Sequence, residues 1–287
     1  IVTSEVAGSS DFISRSIAQG LAEDWGYPVI VENRGGSRTI AAQIVAQASP
    51  DGYTLLLVAG TFTILPFLEK TPYDPMRDFL PITWVTRSTN ILVVHPTLPV
   101  NSVRELIALA KAKPGVLNYA SGPTASSLHL PAELFKSMAG VNIVRIAYRG
   151  GAPAVSGVLS GQEQLVFATV PSVMGHIKAG RLRALGITSA QPSILTPGLP
   201  TIAASGLPGY ESDQMTGAYA PVKTPATIIR TLNQGITRVL NGPELRGRFL
   251  NSGIDVVGSS PEQLTAQMKA DIVRWGKIIK DAGIRSD

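Results

Sequence analysis

The chain has 287 residues, 44% of them hydrophobic and 16% charged. That is enough for two folded domains and far from the composition of a disordered chain. Its formal net charge is +5, with Lys and Arg scattered, so there is no nucleic-acid footprint, only a modest field favouring anions. Cysteine is absent, which excludes disulfides, thiolate metal sites and cysteine nucleophiles. No apolar run of about 18 residues predicts a membrane span. The chain opens inside a strand pattern without a signal peptide, and the expectation is a mature, exported protein whose leader lies outside this sequence.

Ile1-Val2-Thr3-Ser4 reads as a short strand. Ser9 or Ser10 offers an N-cap, and Ile13, Ile17, Leu21 and Trp25 recur every four residues as one helical stripe. The turn between them, Ala7-Gly8-Ser9-Ser10-Asp11, leaves helix-start N–H groups unpaired at the positive end of a helix dipole, a place for a carboxylate. Then come a strand over Pro28–Glu32, a helix over Ile40–Ala48 and a strand over Tyr53–Val58. Alternating strands and helices predict an α/β protein with parallel sheet covered on both faces. Thr61 to Asn90 reads as irregular, and Asn90–His95 as a strand.

Pro96-Thr97-Leu98-Pro99 reads as a crossover between domains. Ser102 and Glu105 form a capping box before the stripe Val103, Leu106, Ile107, Ala110. Strands follow at Val116–Ala120, Ile143–Ala147, Gln164–Ala168 and Leu182–Thr188, with helices between the first three and another opening at Pro171. Pro192 to Pro208 is loop, and Gln214–Ala220 is a strand returning to the first domain before Pro221 and Pro225. Two helical segments close the chain, the second opened by the capping box Ser260-Pro261-Glu262-Gln263. The expected domains are residues 1–97 with 221–287, and 98–220.

Five motifs, in order, carry a resemblance. They are Pro50-Asp51-Gly52-Tyr53-Thr54-Leu55-Leu56, Pro72-Tyr73-Asp74-Pro75-Met76-Arg77-Asp78-Phe79, Leu117-Asn118-Tyr119-Ala120-Ser121, His176 through Leu185, and Gly206-Leu207-Pro208-Gly209-Tyr210-Glu211. With them the whole chain resembles the Bug receptors, the periplasmic solute-binding proteins of tripartite tricarboxylate transporters. The resemblance implies a type II periplasmic-binding fold, two α/β domains with the ligand in the cleft between them. It implies a small organic carboxylate held by backbone amides, hydroxyls and ordered water, hinge closure, no cofactor, and transporter membrane subunits as partners of a monomeric periplasmic receptor.

Carried over by position, the family's first turn falls on Ala7, Gly8, Ser9, Ser10 and Asp11. Ser9 and Ser10 are the expected donors, and Asp11 orders the turn, because a carboxylate facing a carboxylate is repelled. The facing turn is Gly122 to Ser127, with Ser126 and Ser127 as the second pair of donors. Pro131 requires either a distorted first helical turn there or a helix that starts at Pro131. Tyr148 and Gly150 belong to a third element, and Ala168 and Thr169 to a fourth. Many relatives carry an acidic residue where Ala168 stands, so a dicarboxylate or aromatic acid is expected rather than an amino acid. Arg38, in a loop one residue shorter than the family pattern, is a candidate clamp on a distal carboxylate. Thr61 and Phe62 are candidates for the cleft wall.

Enzyme readings find little support. There is no G-x-S-x-G elbow and no G-x-G-x-x-G after a strand, and the segment from Gly175 to Arg181 has P-loop spacing without the Lys-Ser/Thr ending. His95, His129 and His176 form no metal spacing. Ser127 and His129 stand two apart, which on a helix puts them on different faces. The alternatives to a transport receptor are a signalling receptor with the same binding physics and, more remotely, a serine hydrolase.

Overall fold

The computed structural model describes residues 1–4, 9–35, 39–281 and 283–284. The chain divides into two units, the first built from Ile1–Arg87 and Met215–Lys280, the second from Ser88–Gln214. The sequence reading placed these divisions later, at residues 97/98 and 220/221.

The first unit is organised by β3 (Leu56–Ala59). Leu57, with Leu55 just before the strand, belongs to one core; Leu56 and Val58 belong to another. Side chains alternate across a strand, so the sheet is covered on both faces. One cover is α1 (Ser9–Trp25), whose Ile13, Ile17 and Leu21 are at most 2% exposed. With it packs α8 (Ala226–Leu240), and next comes α9 (Pro243–Asn251), which contributes Phe249. A Cβ on Gly235 would stand 2.6 Å from the Trp25 ring, so this glycine lets α8 approach α1 closely. The other face carries α2 (Ile40–Ala46) and α10 (Pro261–Asp281), through Ala41, Val45, Leu264 and Met268.

The remaining strands of this unit are β1 (Val2–Thr3), β2 (Glu32–Asn33), β4 (Phe79–Ser88), β10 (Gln214–Pro221) and β11 (Asp255–Val256). Their order is β11-β4-β10-β3-β1-β2. β1 is parallel to β2 and β3, whereas β10 runs antiparallel to β3, and β11 to β4.

In the second unit the order is β7-β6-β8-β5-β9, with β5 (Asn90–Val94), β6 (Asn118–Ser121), β7 (Val144–Ala147), β8 (Leu165–Thr169) and β9 (Arg183–Ile187). β6 is parallel to β7 and β8, and β5 is antiparallel to β8 and β9. Ile91 and Val93 share a core with Val166 and Ala168 under α6 (Gly151–Leu159) and α7 (Val170–Lys178). Phe167 turns the other way, its ring 5.7 Å from Phe135 of α5 (Leu130–Ala139). Ser102 caps α4 (Val103–Ala112), accepting from the Glu105 N–H at 3.2 Å, while the Glu105 carboxylate accepts from the Asn101 N–H at 2.7 Å.

Three expectations change. The sheets are mixed rather than parallel, because β5 and β10, which follow the passages between the units, run against their neighbours. The stretch from Thr61 to Asn90 is not irregular: it holds α3 (Thr61–Ile64), a 3-10 turn over Leu65–Phe67, and the ten-residue β4. Pro81 conceals that strand in the sequence. It is tolerated where β11, which pairs only with Thr86 and Arg87, does not reach. The third change is at the C-terminal end, where α9 and β11 stand between the two foreseen helices. None of the helices among the described residues is long and apolar enough to cross a membrane.

Candidate functional site

In the first unit the predicted anion turn lies only partly within the described residues. Ala7 and Gly8 fall outside them, as does Arg38. Ser9 is exposed and Ser10 is 8% exposed, both in the first turn of α1. Asp11 is buried, and its Oδ1 accepts from Asn33 Nδ2 and from Arg15 Nε, each at 2.9 Å. Arg15 in turn donates to Asn33 Oδ1 at 2.7 Å. This closed triangle ties the start of α1 to the end of β2, and its geometry suits a residue that orders the turn. Two buried hydroxyls nearby in sequence, Thr3 Oγ1 and Ser14 Oγ, have no protein partner.

Thr61 is exposed at the start of α3, but Phe62 is core. Its ring stacks on Tyr73 at 5.2 Å and meets Phe79 and Tyr219 at 5.0 Å each. Its side chain therefore builds the interior and presents no wall to solvent.

In the second unit β6, β7 and β8 are parallel, so the loops after them emerge at one edge of the sheet. Ser126 and Ser127, and Tyr148 and Gly150, come from the first two of these connections, and Thr169 is the last residue of β8, directly before α7. Open α/β sheets bind ligands at that edge. The loop after β6 is held from several sides. Asn90, at the start of β5 and 1% exposed, donates from Nδ2 to the Ser127 carbonyl at 2.5 Å. Arg145, on β7, donates to Ser121 Oγ at 3.2 Å, and to Thr124 Oγ1 and the Gly122 carbonyl at 3.0 Å each. Ala125 sits at φ 61, a left-handed conformation uncommon for a residue with a Cβ, and its N–H donates to His129 Nδ1 at 3.1 Å.

Within this braced loop the Ser126 hydroxyl is buried and has no hydrogen-bond partner in the protein. A buried hydroxyl left unpaired in the protein is costly. A Cβ on Gly122 would stand 2.8 Å from that oxygen, so the glycine preserves its place. The helix question resolves in favour of a start beside Pro131: α5 opens at Leu130, with proline in its first turn. Ser126 and Ser127 precede the helix.

Tyr148 points its hydroxyl at Glu163 Oε1, 2.8 Å away. That hydrogen bond, and then burial, raise the phenol above its ordinary pKa. Gly150 is the residue before α6, in fully extended backbone. Ala168 is 1% exposed and its methyl lies in the core under α6 and α7. An acidic side chain is thus absent from a strand position that here faces inward. Thr169 precedes α7 and is half-buried, donating from Oγ1 to Ser172 Oγ at 3.1 Å. Asn90 and Arg145 were missed by the sequence reading, since a polar residue opening a strand and an arginine within one carry no motif. His129 Nδ1 accepts from the Ala125 N–H, and its Nε2 lies 3.9 Å from Glu133 Oε1. No cluster of side chains fit to hold a metal occurs among the described residues.

Residues 13–284 match the family model described as tripartite tricarboxylate transporter family receptor. The chain is 33% identical to protein BugT of Bordetella pertussis, over 99% of this chain and 89% of BugT. Among solved structures it is similar to R. palustris Rpa4515 with adipate, at 34% identity and a TM-score of 0.79, covering 100% of this chain and 98% of that one. It is also similar to MatC of Rhodopseudomonas palustris with bound malate, at 25% identity and a TM-score of 0.76, covering 97% and 98%. The order of elements in both units, the braced loops at one sheet edge and these likenesses together make the chain a member of the tripartite tricarboxylate transporter receptor family.

Proposed function

We propose that this protein is a periplasmic solute-binding receptor that captures a small dicarboxylate and presents it to the membrane subunits of a tripartite transporter. The observation that carries the reading is the Ser126 hydroxyl, buried without a protein partner on a loop braced by Asn90 and Arg145. In the first unit the start of α1 offers a place for an anion of its own, where Ser9 and Ser10 stand at the positive end of a helix dipole. The guest favours the closed form by the difference in its affinity for closed and open states.

The relatives with adipate and with malate support a dicarboxylate over an amino acid. Recognition rests on hydroxyls, backbone N–H groups and water, with Asp11 engaged by Asn33 and Arg15. The receptor acts as a monomer.

Titration calorimetry against adipate, malate, an aromatic acid and glutamate tests this. Binding of a dicarboxylate, weakened by Ser126→Ala, supports the reading. Binding of glutamate alone, or a dicarboxylate affinity untouched by Ser126→Ala, ends it.

A further inference from the structure

Arg145 is a half-buried guanidinium on β7 whose three hydrogen bonds all end on uncharged oxygens of one short segment, at Ser121, Gly122 and Thr124. No carboxylate among the described residues lies within ion-pair distance of it. A cation drawn out of water is ordinarily matched by an anion. Among the described residues its hydrogen-bond partners are oxygens at the end of β6 and in the loop that carries Ser126. Guanidinium offers five donors in a rigid fork, so three acceptors on one loop fix that loop's shape as no single ammonium would.

We propose that Arg145 is a positioning residue for the anion, setting the Gly122–Ser127 loop with its fork and supplying, from behind the loop, the positive charge that the guest's carboxylate completes. This rests on the carboxylate-receptor reading above. It makes the second half of the site electrostatic as well as hydrogen-bonding, without any contact between Arg145 and the guest. Charge at this remove is screened by salt, so its signature is a salt-dependent affinity.

The test is titration of adipate, malate and an aromatic acid into the whole protein at low and high salt. The panel compares wild type, Arg145→Gln, Arg145→Lys and Ser126→Ala, with circular dichroism confirming the fold. The best-bound acid should lose about tenfold or more in affinity on Arg145→Gln, and its salt dependence should flatten. Arg145→Lys should keep the salt dependence and recover only part of the affinity. Thr124→Val, which removes one acceptor and leaves the guanidinium, should give a smaller loss in the same direction, and it decides the matter if Arg145→Gln does not fold. Arg145→Gln binding like wild type, or Arg145→Gln and Arg145→Lys equally weak with the wild-type salt dependence, overturns the inference while a Ser126→Ala loss leaves the receptor reading standing. Wild type that binds none of the acids overturns both.

Discussion

Asn90 Nδ2 lies 2.5 Å from the carbonyl oxygen of Ser127, so the first residue of β5 holds down the loop that follows β6. Asn90 Oδ1 accepts in turn from Gln214 Nε2 at 3.1 Å, and the asparagine is almost wholly buried. Asn90→Ala leaves the half-buried Ser127 carbonyl without this partner, a cost of about 1 kcal/mol. The expected outcome is a lower urea midpoint with an unchanged slope, together with weaker dicarboxylate binding. A midpoint equal to wild type would show that the contact braces nothing.

Two helical glycines separate packing from propensity. Gly175, in α7, has open space where a Cβ would go; Gly157, in α6, would set its Cβ 2.2 Å from Glu163 Oε2 and 2.5 Å from the Tyr148 hydroxyl. Gly175→Ala should stabilise by about 0.5–1 kcal/mol, through the smaller entropy of the unfolded chain. Gly157→Ala should instead displace the Tyr148–Glu163 pair and destabilise by about 1–3 kcal/mol. Paired denaturant unfolding curves check the sign, and two shifts of the same sign would refute the crowding at Gly157.

Tyr119 donates to Glu133 Oε1 at 2.5 Å; burial first, and then the Glu133 charge, push its phenol far above the ordinary range. Below the unfolded value of about 10 both states keep the proton. Above it the unfolded chain ionises while folded Tyr119 stays neutral, so the native state binds more protons and stability falls as pH rises. Tyr73 and Tyr219, also raised chiefly by burial, add to the same fall. Unfolding free energies measured between about pH 8 and 11 should decline for wild type and decline less steeply for Tyr119→Phe. Equal slopes would remove Tyr119 from the account.

Much of this architecture is legible in the residues themselves. Ile13, Ile17 and Leu21 announce α1 by their spacing, and Ser102 with Glu105 announces α4 by its capping box; both helices form as read. The strand β4 is hidden by Pro81, and α9 by its brevity and its interior glycine, Gly247, with only Leu245 and Phe249 buried. The Gly122–Ser127 loop is legible as a connection between strand and helix because small residues there have a physical meaning. What braces it is not, because Asn90 and Arg145 reach the Gly122–Ser127 loop through register between strands distant in sequence. Phe62 shows the reverse error: position suggested a wall, whereas its ring completes an aromatic core with Tyr73, Phe79 and Tyr219.

A crystal structure of the protein grown with adipate would put the whole account at risk in one step. One carboxylate should sit within hydrogen-bond reach of Ser126 Oγ on the Gly122–Ser127 loop. Adipate bound with both carboxylates away from that hydroxyl would contradict it.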